Sequence, residues 1–180
     1  NSSNSVCDVC PSGKASVGGS TSCDDCNNLG EYSTGEGNTV CSIAPIGTVV
    51  DESRTKVTNC GAGTYSTDGK SCFACDDGFI SSAGSGYCSP CQGGAFTTNE
   101  KSSCSSCEPG KYSGIAASEC VDCEIGKFNN DVGQQICIAC PSHQGTNNAG
   151  STSCQCNEGF STIVTGGAIE CLCPPGFTLE

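Results

Sequence analysis

The sequence predicts a small disulfide-rich fold, an elongated tandem array of about eleven 16-residue Cys-loop β-hairpin repeats with little helix. Three observations lead there. The chain holds 20 Cys and 25 Gly in 180 residues but no Trp, no Met and only ten aromatic side chains, too little apolar matter for an ordinary packed core. Cys-x-x-Cys recurs at Cys7/Cys10, Cys23/Cys26, Cys72/Cys75, Cys88/Cys91, Cys104/Cys107, Cys120/Cys123 and Cys137/Cys140. From Cys72 on, the first cysteines step by 16, 16, 16 and 17, and the shortened pairs Cys154/Cys156 and Cys171/Cys173 continue the ruler.

The text between pairs repeats as well. A Gly stands three residues after the second Cys, as in Gly13, Gly63, Gly78, Gly94, Gly110 and Gly126, and an aromatic follows, as in Tyr65, Phe96, Tyr112 and Phe128. A closed loop with Gly at its start and small polar residues in its middle reads as a hairpin, with Gly110 at the turn and Gly114 at the reversal in the Cys107 loop. The aromatic of each loop is expected to be buried. The disulfide around each loop contributes about 3 kcal/mol and the aromatic about 2, well below the roughly 24 kcal/mol that ordering 16 residues costs, so repeats must stack on neighbours to persist. A Cys-x-x-Cys link extended at strand rise advances each rung by roughly 10 Å.

The ruler persists where cysteines fail. Between Cys41 and Cys60 the expected partners fall on Ala44 and Val57, while Gly47 and Val49 keep the Gly and apolar places. This divides the chain into N-terminal Cys repeats (1–43), a degenerate repeat lacking its disulfide (44–59), regular repeats (60–153) and shortened tail repeats (154–180).

The joint loss of Ala44 and Val57 bears on connectivity, which spacing alone leaves open. If each second Cys bonds the next first Cys, one disulfide disappears and no thiol is stranded. That gives Cys10 to Cys23, Cys26 to Cys41, Cys60 to Cys72, Cys75 to Cys88, Cys91 to Cys104, Cys107 to Cys120, Cys123 to Cys137, Cys140 to Cys154 and Cys156 to Cys171, with Cys7 and Cys173 bonding outside the segment. Crossed pairing, first to first and second to second, is the rival, and uses every cysteine if Cys41/Cys60 is one stretched pair.

The run Cys104-Ser-Ser-Cys107-Glu-Pro-Gly110-Lys-Tyr112-Ser113 resembles the ephrin-receptor-like cysteine-rich repeat, and the likeness covers nearly the whole chain. The loops are also similar to those of TNF-receptor modules, where a Cys-to-Cys loop closes on itself. Cys156-Asn-Glu-Gly159-Phe160 and Cys173-Pro-Pro-Gly176-Phe177 resemble the tail of EGF-like modules. The resemblance implies receptor ectodomains, adhesive surface proteins or mastigoneme-like extracellular filaments.

Charge and composition exclude other classes. Seven Lys plus Arg against 19 Asp plus Glu give −12, which repels nucleic acid and anionic membrane surfaces. Cysteine at this density persists as disulfide in an extracellular, oxidising setting. No apolar run approaches a membrane span. The start lacks Met and a signal segment, and the end stops inside a motif, so a segment of something longer is expected.

Zinc knuckles fail at the degenerate repeat, and no cofactor is expected. His143 lacks an acidic orienter, so no catalytic residue and no enzyme are expected. Asp24-Asp25, Asp76-Asp77 and the group Asp122, Glu124 and Asp131 lack calcium-loop spacing and read as solubilising acid. Ser and Thr number 41, and clusters such as Thr146 to Ser153 offer Thr146, Ser151 and Thr152 for O-glycans, beside the single sequon at Asn1. The function expected is a filament shaft or stalk that associates with further copies, the alternative a ligand-binding ectodomain.

Overall fold

The structure is a computed structural model that describes residues 6–166 and 168–178. The chain forms two compact units. One comprises Asn1–Asp76 with Ile80–Ser89 and Glu100–Ser102, the other Asp77–Phe79, Pro90–Asn99 and Ser103–Glu180. Both consist of two-stranded antiparallel hairpins, and no described residue is helical. The repeat is a small disulfide-rich array, as the cysteine ruler predicts.

The hairpin sits one step away from its expected place. In the Cys107 repeat, Lys111–Tyr112 pairs not within the ring but with Val121–Asp122, the two residues inside the next Cys-x-x-Cys. Tyr65 likewise faces Phe73, Phe128 faces Ile138, and Phe96 faces Ser105. Two residues held between cysteines are extended, so their backbone groups need partners, and the strand that leaves the preceding glycine supplies them. The second cysteine then closes the ladder, its N–H donating to that glycine's carbonyl: Cys26 to Gly13 at 3.0 Å, Cys107 to Gly94 at 2.8 Å, Cys123 to Gly110 at 2.8 Å. The link is therefore a strand and not a spacer.

The interior also differs from expectation. The aromatics of the repeat are only half-buried, because each lies on the outer face of its hairpin beside an exposed residue such as Phe73, Val121 or Ile138. Buried instead are the second cysteines, Cys26, Cys91, Cys107 and Cys123 at 0%, and a column of small polar residues, Ser33, Ser66, Ser81, Thr97, Ser113, Asn129 and Thr146. Buried polar groups persist only when hydrogen-bonded, and no described buried side-chain N or O lacks a partner.

The degenerate repeat keeps the whole backbone pattern. Ala44 is buried in the place of a second cysteine, and its N–H donates to Gly30 as a cysteine's would. Val50 faces Val57, the position where Thr97 faces Cys104 in a complete repeat. In place of a disulfide, Asp51 ties the loop. Its carboxylate accepts from the Ser53 hydroxyl (2.6 Å) and the N–H groups of Thr55 (2.8 Å) and Lys56 (3.1 Å). The Ser53 hydroxyl first, then the two backbone donors, bring the Asp51 pKa down to about 2 from 3.8.

A carboxylate with a depressed folded pKa stabilises above its unfolded pKa and loses that contribution as pH falls through the folded value. The 51–56 loop is therefore expected to loosen between about pH 4 and pH 2. Amide exchange at Thr55 and Lys56 checks this, since both should lose protection in that window and already lack it in Asp51→Ala at neutral pH.

Candidate functional site

The most highly organised feature is the interlock between repeats, and it begins at the sixth residue after a second cysteine. Ser113 makes three connections. Its hydroxyl donates to the Ala95 carbonyl of the preceding repeat at 2.9 Å, its own carbonyl accepts from Gly94 N–H at 2.8 Å, and its N–H donates forward to Gln134 at 3.3 Å. Asn129 does the same with an amide, donating to Lys111 O at 2.8 Å while its backbone bonds Gly110 and Ser151. Ser33 and Ser81 donate to Lys14 O and Thr64 O at 3.0 and 2.8 Å.

Threonine at this place works differently. Thr97 and Thr146 turn the hydroxyl oxygen into the acceptor, for Gly78 N–H at 3.1 Å and Gly126 N–H at 2.8 Å, where serine repeats use a carbonyl. Small hydroxyl and amide side chains suit the column because they reach the backbone within one bond or two and donate or accept as required.

Each repeat also bonds the next through the carbonyl of its second cysteine. Gly84 N–H donates to Cys60 O, Gly133 N–H to Cys107 O and Gly150 N–H to Cys123 O, all at 2.8 Å. At the in-phase glycines the backbone also comes close to the next repeat but one. A Cβ on Gly30 would stand 2.6 Å from Asp68 O, and one on Gly94 would overlap Gly133 O. Gly94 has φ +85° besides, a conformation costly for other residues. Two cations join neighbouring repeats: Arg54 Nη1 donates to Asn28 O at 2.6 Å and Lys101 Nζ to Cys75 O at 2.7 Å.

The sequence-derived site residues fall as follows. Nine disulfides join Cys10 to Cys23, Cys26 to Cys41, Cys60 to Cys72, Cys75 to Cys88, Cys91 to Cys104, Cys107 to Cys120, Cys123 to Cys137, Cys140 to Cys154 and Cys156 to Cys171, with Cα separations of 5.5–5.8 Å. Cys7 is an exposed thiol and Cys173 a half-buried one. Thr146 is in the buried column, its hydroxyl engaged, whereas Thr152 is exposed and Ser151 half-buried with its hydroxyl on Asn148 O. Asn1 lies outside the described residues. His143, at φ +64°, stacks on Phe160 with ring centroids 4.4 Å apart.

The acidic groups meet lysines. Asp25 pairs with Lys14 at 2.9 Å, Asp122 with Lys111 at 2.7 Å and Glu124 with Lys127 at 2.8 Å. The hydrogen bond from Lys127 lowers the Glu124 pKa, and the one to Asp122 raises that of Lys111. Such exposed pairs contribute little to stability. Among the described residues no cluster of three His, Cys, Asp or Glu could hold a metal, and no helix is long and apolar enough to cross a membrane.

Sequence reasoning missed the polar column, whose hydroxyls it assigned to turns or sugars. The signal was present: a Ser, Thr or Asn at the sixth place recurs in Ser66, Ser81, Thr97, Ser113, Asn129 and Thr146.

Residues 110–156 match the family model described as tyrosine-protein kinase ephrin type A/B receptor-like. No curated protein sequence matches the chain significantly. The matched stretch contains the complete rings Cys123 to Cys137 and Cys140 to Cys154 and the interlock at Asn129 and Thr146, and disulfide-bonded loops of the same form run along the chain on either side of it. The chain is a cysteine-rich repeat array, and its 110–156 stretch is similar to that receptor-like family.

Proposed function

We propose that the chain is a load-bearing segment of a longer extracellular protein, a filament shaft or stalk. The observation that carries this reading is the interlock, in which one buried residue such as Ser113 ties three successive repeats while disulfides close each loop. An array held at every step by first and second neighbours resists being peeled one repeat at a time. Nine disulfides suit an oxidising, extracellular setting. Cys7 and Cys173 are assigned to disulfides with further repeats or further copies of the chain, and exposed hydroxyls such as Thr152 to O-glycans. The reading assigns no catalytic role, no cofactor and no nucleic-acid or membrane-inserting role to this segment.

The ectodomain reading has its own support in the solvent-facing apolar residues. Tyr112, Ile136, Lys127 and Glu124 line an open depression, and Ile136 is 69% exposed. Electron microscopy of native material, with mass spectrometry of its non-reduced peptides, distinguishes the two. Filaments, hexose on the Thr152 peptide and linkages through Cys7 or Cys173 are expected. Dispersed monomers with unmodified peptides and free Cys7 would turn the reading to the ectodomain.

A further inference from the structure

The disulfides divide the chain into closed rings joined by short links, and one link is unlike the rest. Between Cys26–Cys41 and Cys60–Cys72 lies the 42–59 stretch, which no disulfide spans, whereas other links between consecutive rings, such as 73–74 or 105–106, are the strand residues inside a Cys-x-x-Cys. The basic residues are distributed to match. Lys14, Lys70, Lys101, Lys111 and Lys127 each lie inside a ring. Arg54 and Lys56, the remaining two of the seven, lie in the unspanned stretch.

A cut inside a ring leaves both new ends tied by the disulfide. A cut in 42–59 separates the chain. We propose that the Lys56–Val57 bond is a processing site for a protease that accepts a basic side chain on the acyl side of the cleaved bond, and that its hydrolysis divides the protein into two disulfide-closed blocks. Water adds to the Lys56 carbonyl, the bond to the Val57 nitrogen breaks, Lys56 gains a carboxylate and Val57 an amino group.

The local structure fits this role. Lys56 is exposed at a loop end, while Arg54 is engaged with the carbonyl of Asn28, which makes Lys56 the accessible residue of the two. Access requires release of the Asp51 carboxylate from the Thr55 and Lys56 N–H groups, of the Lys56 carbonyl from the Asp51 N–H, and of Val57 from its pairing with Val50. That opening frays the turn end of one short hairpin, whereas presenting a residue within a disulfide ring must deform a closed loop. After cleavage the blocks are held by bonds such as Gly47 N–H to Ser66 O and Val50 N–H to Gly69 O, which are noncovalent. The inference is independent of whether the segment serves as a shaft or an ectodomain.

Digestion of the native, oxidised protein with trypsin, followed by electrophoresis without reductant, tests it. Two separated fragments are expected, one beginning at Val57, with separation about tenfold faster in Asp51→Ala. The double variant Arg54→Gln/Lys56→Gln should lose separation and keep the ring cuts seen after reduction. In Ala44→Cys/Val57→Cys, the restored disulfide should hold the cut fragments together until reductant is added. A wild-type protein that shows ring cuts on reduction yet stays one species without reductant overturns the proposal, as does separation at any other bond.

Discussion

Replacing Gly94 with Ala should cost about 2–5 kcal/mol, the sum of overpacking and a left-handed backbone. The added methyl would overlap the Gly133 carbonyl oxygen, which is backbone and has no side chain to rotate away. The same residue makes the Gly94 to Ser113 and Cys107 to Gly94 bonds, so relieving the clash breaks the interlock on both sides. Amide exchange reads the effect locally. Protection at Cys107 and Gly133 should fall by about two to three orders of magnitude, while amides at Gly30 and Ala44 in the other unit keep theirs. Gly114→Ala is the control, because a Cβ there meets nothing within 4 Å.

Removing one ring should be nearly as damaging. Cys107→Ala/Cys120→Ala opens a loop whose disulfide contributes about 3 kcal/mol, and Cys107 is fully buried, so a small void adds to the loss. The damage should reach one repeat forward, since the Cys107 carbonyl holds Gly133 N–H, and one repeat back, where Gly94 accepts from Cys107 N–H. Thermal unfolding should show a new early transition, and exchange should place it at residues near 94, 113 and 133. An unbroken single transition at the parent temperature would mean that the loops are held independently of their disulfides.

How much of this could be read from the letters depends on the kind of constraint. The cysteine phase was legible because two cysteines vanish together, and Ala44 indeed occupies a buried cysteine place with Val57 across from Val50. Glycine phase was legible as well, since a positive φ leaves few other choices, although the reason for Gly94 lies in a contact with Gly133 that no local pattern announces. The aromatic was misread: its regular recurrence suggested a core, yet Tyr112 and Phe128 sit on the outer face because the space inside belongs to sulfur and serine. Ser113 looked like any loop hydroxyl, and only its three bonds show that it is the centre of the repeat. Contacts with the second neighbour were invisible, as they depend on how tightly successive hairpins coil.

The hydroxyl column and the cystine interior also govern how stability varies with temperature. Heat capacity rises on unfolding as apolar surface meets water and falls as polar surface does. A protein whose interior is Ser33, Ser66, Ser113 and Asn129 beside disulfides exposes little of the first and much of the second. Its heat-capacity increment per residue should lie well below the roughly 12–15 cal/mol/K usual for globular domains. The stability curve is then shallow, with neither a sharp optimum nor accessible cold denaturation. Such a protein holds nearly the same firmness across the temperatures its surroundings impose, a property set by chemistry that the hydrophobic effect does not supply.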